Sequence, residues 1–169
     1  MTDTPSKLEG LGGWLIFVGI GLVVRPIWLL THEAPSLVGL FTTGVWQANT
    51  TPGSPMYHPL WRYIFSLEVI GNLGVLLVEL WLLFLFARRS THFPRWFIAL
   101  ALFIPAFILV DAWLVTRIPM QGPLWDPGTI QNFGRTAVQA LIWVPYMLVS
   151  KRVKATFTVA SSVNASAAS

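Results

Sequence analysis

Apolar residues in this chain gather into four long runs, approximately Leu11–Leu30, Tyr63–Phe86, Trp96–Val115 and Ile130–Val149, parted by shorter polar breaks. Crossing about 30 Å of hydrocarbon takes about 20 helical residues, and each run is long enough. Inside a bilayer every backbone N–H and C=O must be satisfied within the segment, which makes the runs helices. The short alternating strands of a membrane barrel are absent from the pattern. The expected fold is an all-α membrane protein, a four-transmembrane-helix antiparallel bundle forming one domain over residues 1–157. The small, polar residues 158–169 read as a disordered tail.

The breaks carry their own signals. Asp126-Pro127 has the form of an N-cap followed by proline at the first helical position, so a helix starts there. Pro105 and Pro145 fall inside spans and predict kinks. The first connection, Thr31–Trp61, is the long one. Within it, Ser36–Gln47 is uncharged and mostly apolar but too short to cross, which predicts a short interfacial helix in the first outer loop.

Composition fits this reading. Apolar residues make up 54% of the 169-residue chain and charged ones 11%, against about 25% charged in a soluble domain. Cysteine is absent, which excludes disulfides and thiolate metal sites. The net charge of +4 does not form a nucleic-acid patch. Seven basic residues (Lys7, Arg88, Arg89, Arg95, Lys151, Arg152, Lys154) fall on one side of the four spans, against Arg62 and Arg117 on the other. Basic connections stay in the cytoplasm, so both termini are expected inside. Tryptophans mark the boundaries, with Trp14, Trp96 and Trp143 toward the inner interface and Trp28, Trp61 and Trp113 toward the outer. Arg25-Pro26 interrupts the first run, and Thr31–Pro35 makes a poor cleavage site, so the first span is read as retained and not as a signal peptide.

Five ionisable residues lie within the spans: Arg25, Glu68, Glu79, Asp111 and Arg135. Such residues face the bundle interior and tend to pair. At 1.5 Å per residue, Arg25, Asp111 and Arg135 each lie about 21 Å from the cytoplasmic ends of their helices, and Glu68 about 27 Å. Glu68, Asn72 and Glu79 share one stripe of the second helix, Asn132, Arg135, Gln139 and Tyr146 one stripe of the fourth, and Val18, Gly21 and Arg25 one face of the first. The expectation is a charge-balanced intramembrane polar network of Arg25, Glu68, Asn72, Asp111, Arg135 and Gln139. Its structural reading fixes helix neighbours. Its functional reading is an ion or substrate site. Glu79, at about 10 Å depth, has no basic residue expected opposite it. It is a candidate proton-titrating carboxyl, the simpler alternative being a neutral, hydrogen-bonded one.

No catalytic, cofactor or metal motif emerges. His32, Glu33 and His58 share a loop without metal-ligand spacing. Gly10-Leu11-Gly12-Gly13 lacks the lysine and strand of a phosphate loop and reads as a close start to the first helix. Lys151-Arg152-Val153-Lys154 reads as a topology anchor, and Asn49-Thr50-Thr51 as a chance match to a glycosylation acceptor.

Gly10-Leu11-Gly12-Gly13-Trp14-Leu15 and the run Ile142–Phe157, with Glu68 and Asn72, Phe93-Pro94 and Arg135-Thr136, resemble a family of small bacterial inner-membrane proteins. That family is the domain of unknown function 2569, which includes YdgK-like proteins. The resemblance covers about positions 8 to 157. It implies a multi-pass protein of the bacterial inner (cytoplasmic) membrane and offers no activity to carry over. The expected function is a non-enzymatic structural or accessory membrane component, acting through a membrane-protein partner or as a homo-oligomer in the lipid bilayer, with no cofactor and no nucleic acid. The alternative is a small transporter or channel subunit using intramembrane acids, which a single cavity joining Glu79 to the outer charges would favour. A membrane enzyme would instead need His32, His58 and Asp126 to converge.

Overall fold

The computed structural model describes residues 12–119 and 121–158, and among these every regular element is helical. In chain order they are α1 (Trp14–Trp28), a π-helical segment (Leu29–Glu33), α2 (Ala34–Thr42), α3 (Val45–Thr50), α4 (Pro59–Ala87), α5 (Phe93–Val115), α6 (Pro127–Val149) and α7 (Lys151–Thr158). Lys7 and the tail beyond Thr158 lie outside the described residues.

Three helices are long and apolar enough to cross a membrane: Trp14–Thr42, Pro59–Ala87 and Phe93–Val115. α6 has the same 23-residue length as α5. Its stripe of Gln131, Asn132, Arg135 and Gln139 makes it more polar, so the fourth expected span does not stand out as the others do.

Local chemistry sets the helix starts. His58 Nδ1 accepts the Leu60 N–H at 3.3 Å, with Pro59 at the first helical position, so α4 opens four residues before the expected Tyr63. Asp126 Oδ1 accepts from the amides of Gly128 at 2.8 Å and Thr129 at 3.2 Å and caps α6, with Pro127 following. This is the start that the Asp-Pro pair announces.

The first span departs most from expectation. Helix does not end near Leu30. It runs on through the π segment into α2. A π turn accommodates one extra residue in the helical ladder. On a regular helix Glu33 would stand about 80° around the axis from Arg25; with one residue absorbed it returns to within about 20° of that face. The stretch expected as one interfacial helix, Ser36–Gln47, is split at Gly44, whose left-handed φ of 79° separates α2 from α3.

α1 packs on α4, α4 on α5 and α5 on α6, while α1 and α6 share no packed interface. Their rings meet at one end, where the Trp14 and Trp143 centroids are 6.2 Å apart. That end is closed. Leu15, Phe86 and Phe93 are buried there with Val153 and Phe157 of α7. Phe93 stacks on Phe157 at 4.7 Å and meets Phe86 edge-on at 5.2 Å. The segment read as a basic anchor is therefore also an amphipathic helix that plugs the bundle. Arg152 lies across the start of α1, where a Cβ on Gly12 would come within 2.6 Å of its Nη1. Outward faces of the four long helices are apolar and exposed, as at Ile20, Leu77, Leu102 and Leu141.

Candidate functional site

From the closed end toward the α5–α6 connection the helices diverge around one cavity of about 990 Å³. It is lined by α1, α4, α5 and α6 and reaches Gly122, Pro123 and Asp126 in the connection. Arg25, Glu68, Asn72, Glu79, Asp111, Arg135 and Gln139 all line it. The stripes read from helical spacing thus converge on a common space.

Their pairing is not the expected one. Among the described residues the only ion pair is between Arg25 Nε and Glu79 Oε1, at 2.7 Å. Glu79 has a basic residue opposite it after all, and Arg25 is not shared among Glu68 and Asp111. The cause is helix register. Gly19 of α1 lies against the Phe86 ring, where a Cβ would approach within 3.1 Å. Six residues along α1 and seven back along α4, Arg25 and Glu79 come level. Helix ends set in one plane, as span lengths alone suggest, would leave Arg25 and Glu79 out of step.

The carboxyl is only half engaged. Glu79 is 1% exposed, and while Arg25 meets its Oε1, its Oε2 is buried without a hydrogen-bond partner. Asp111 Oδ1 is likewise buried without a donor. Asn72 donates its side-chain amide to the Glu68 backbone carbonyl at 2.8 Å, not to a carboxylate. Arg135 forms no ion pair among the described residues and is exposed to the cavity.

Nor is the site charge-balanced. Its lining contains two basic residues, Arg25 and Arg135, and five acidic ones, Glu33, Glu68, Glu79, Asp111 and Asp126. Glu33 is the residue sequence spacing missed, because only the π turn brings it onto the face of Arg25. Asp126, outside the helices at depth, is held below the usual carboxylate range by the Thr129 hydroxyl, with the Thr129 and Gly128 amides adding to it.

The histidines stand elsewhere. His32 stacks on Trp28 with centroids 3.6 Å apart, and His58 caps α4. Of the trio an enzyme would need, Asp126 alone lines the cavity. No group of three metal-ligating side chains occurs among the described residues. The arrangement offers charge complementarity and uncommitted buried acceptors to a solute, without a nucleophile–base pair.

Over residues 8–158 the chain matches the family described as Protein of unknown function (DUF2569), and it belongs to that family. No curated protein and no solved structure matches it.

Proposed function

We propose that this DUF2569 protein is a small solute-binding carrier component of the bacterial inner membrane, with four spans, both termini in the cytoplasm and a binding cup open to the outer side. The observation that carries the reading is that Glu79, at the floor, and Glu68, Asp111 and Arg135 line one cavity. A bundle whose charges served only to fix helix neighbours would close around paired residues and leave no such space. Default expectation for ionisable residues at membrane depth is a substrate or ion path.

Orientation rests on Arg88, Arg89, Arg95, Lys151, Arg152 and Lys154, which cluster at the closed end and draw it to the cytoplasm. α6 serves as the fourth span. Its 23 residues reach about 35 Å, Asn132, Arg135, Thr136 and Gln139 line the cavity, and Ile130, Val138, Leu141 and Leu148 are exposed outside it. A second reading, association with another membrane helix, is favoured by the lack of a packed interface between α1 and α6.

The cysteine-free chain permits a direct test. Single cysteines at Gln139, on the cavity, and at Leu141, on the exposed apolar face, are probed in right-side-out vesicles with a membrane-impermeant methanethiosulfonate. A thiol must ionise to react, so the cavity position labels and the lipid-facing one does not. If Gln139→Cys stays inert in folded protein, the open cup is wrong and the association reading takes its place.

A further inference from the structure

The cavity's charges are sorted by depth, and this sorting deepens the binding-cup reading, on which it rests. The Phe107 ring lies directly on the Gly71 backbone, so these residues are level on α4 and α5. Three residues from Gly71 toward the mouth stands Glu68, and four from Phe107 stands Asp111. Both therefore occupy one tier. Glu33 joins them, sharing a small side pocket with Glu68 and Asn72, and Glu68 lies within electrostatic reach of both acids. Deeper, Glu79 is eight residues from Gly71, about 12 Å along the helix. Arg25 meets it there, and Arg25 and Arg135 lie within electrostatic reach of each other.

The outer tier is thus acidic, and the deeper one holds two guanidinium groups against one carboxylate. Arg25 approaches Glu79 through Nε alone, and Arg135 has no ion-pair partner among the described residues. Two such forks facing one space suit an anion held by charge-assisted hydrogen bonds. Asp111 Oδ1 and Glu79 Oε2 are buried oxygens without a hydrogen-bond donor among the described residues. Between the tiers the wall is largely apolar, with Val75, Ile104 and Phe107.

The geometry points to a zwitterionic ligand that carries a primary ammonium at Glu68 and Asp111 and an anionic group at Arg25 and Arg135, with an apolar body between. The tiers stand several bonds apart, too far for a single α-amino acid, whose charges are adjacent. A short peptide, with its terminal charges parted by apolar side chains, supplies this chemistry and enters through the mouth from water.

The test uses the full chain carrying Asn72→Cys, with Gln139→Cys as a second reporter, in right-side-out phosphatidylglycerol vesicles. The rate of labelling by an impermeant thiol reagent is followed with trialanine in the bath. Ethylammonium and acetate, each carrying one charge, and alanine, whose two charges are adjacent, are the controls. Protection of at least fivefold by trialanine is expected, with none from alanine at the same concentration. Glu68→Gln and Arg135→Gln should each remove that protection. Equal slowing by either single-charge control, or no slowing by any probe while labelling proceeds, overturns the zwitterion and leaves the open cup standing. Absence of labelling at both reporters overturns the cup and the ligand together.

Discussion

Arg25 on α1 and Glu79 on α4 stand 2.7 Å apart, the one ion pair among the described residues, with the carboxylate almost wholly buried and the guanidinium partly open to the cavity. Removing one member of a buried pair leaves the other's charge uncompensated, which costs about 3–5 kcal/mol when both are sealed. Arg25 has 42% of its side-chain surface exposed, so a smaller loss of about 1–3 kcal/mol is expected for Arg25→Met. Arg25→Met combined with Glu79→Leu should cost less than the sum of the singles. Thermal unfolding of the four proteins in one detergent measures this. Additive losses would show that the contact carries no coupling.

Gly71 and Phe107 make a separate prediction about cavity size. A Cβ at position 71 would overlap the far end of the Phe107 ring, and that ring has open cavity on its other side. Gly71→Ala should therefore move Phe107 inward without breaking the helix pair. Helix propensity gains up to about 1 kcal/mol from the exchange, which offsets the rotamer cost. The melting temperature should change little, while labelling of a cysteine at Gln139 slows several-fold. A large fall in melting temperature instead would mean that Phe107 is clamped and the space behind it is not free.

These features are legible in the sequence to different degrees. Helical spacing placed Glu68, Asn72 and Glu79 on one stripe, and Arg135 and Gln139 on another, because seven residues make almost two turns. Hydropathy in the same way brought out the three helices long and apolar enough to cross a membrane, and Asp126-Pro127 fixed the start of α6. Depth did not follow. Register between α1 and α4 is set by Gly19 meeting the Phe86 ring, a tertiary fact with no trace in either helix alone. Glu33 was out of reach for a different reason: a one-residue π turn changes the phase of everything beyond it. α7 was hidden because its two buried apolar residues, Val153 and Phe157, sit four apart in a stretch dominated by lysines and an arginine.

That plug at the closed end yields the third prediction. Phe157 is 1% exposed and stacks on Phe93. Truncating a buried phenylalanine to alanine costs about 3–5 kcal/mol. Phe157→Ala should lower folded yield and melting temperature accordingly, and it should expose the cavity floor from the closed end, the cytoplasmic side in the proposed orientation. Gln139→Cys in inside-out vesicles is expected to be unreactive with Phe157 intact and reactive in Phe157→Ala. Equal reactivity in both would mean that the floor is sealed by the Trp14–Trp143 contact without help from α7.

Asp126 gives the pH dependence. Its carboxylate receives the Thr129 hydroxyl and the amides of Thr129 and Gly128, which hold it below the usual range. A depressed folded-state value means the unfolded chain binds the proton first, so stability rises with pH through the window between the two values. The cap's contribution is complete above the unfolded aspartate value, about 4, and disappears as pH falls through the lower folded one. Asp126→Ala should therefore unfold at a lower temperature than the parent at neutral pH, and the gap should narrow in acid. The position is open to solvent, so the effect is small and serves as a sign test. Thr129→Val, which deletes the hydroxyl and keeps both amides, should retain part of the gap and shift its loss to higher pH. If the gap between parent and Asp126→Ala is the same at pH 3 and pH 7, the carboxylate's charge plays no part in starting α6 and its capping is that of a neutral acceptor.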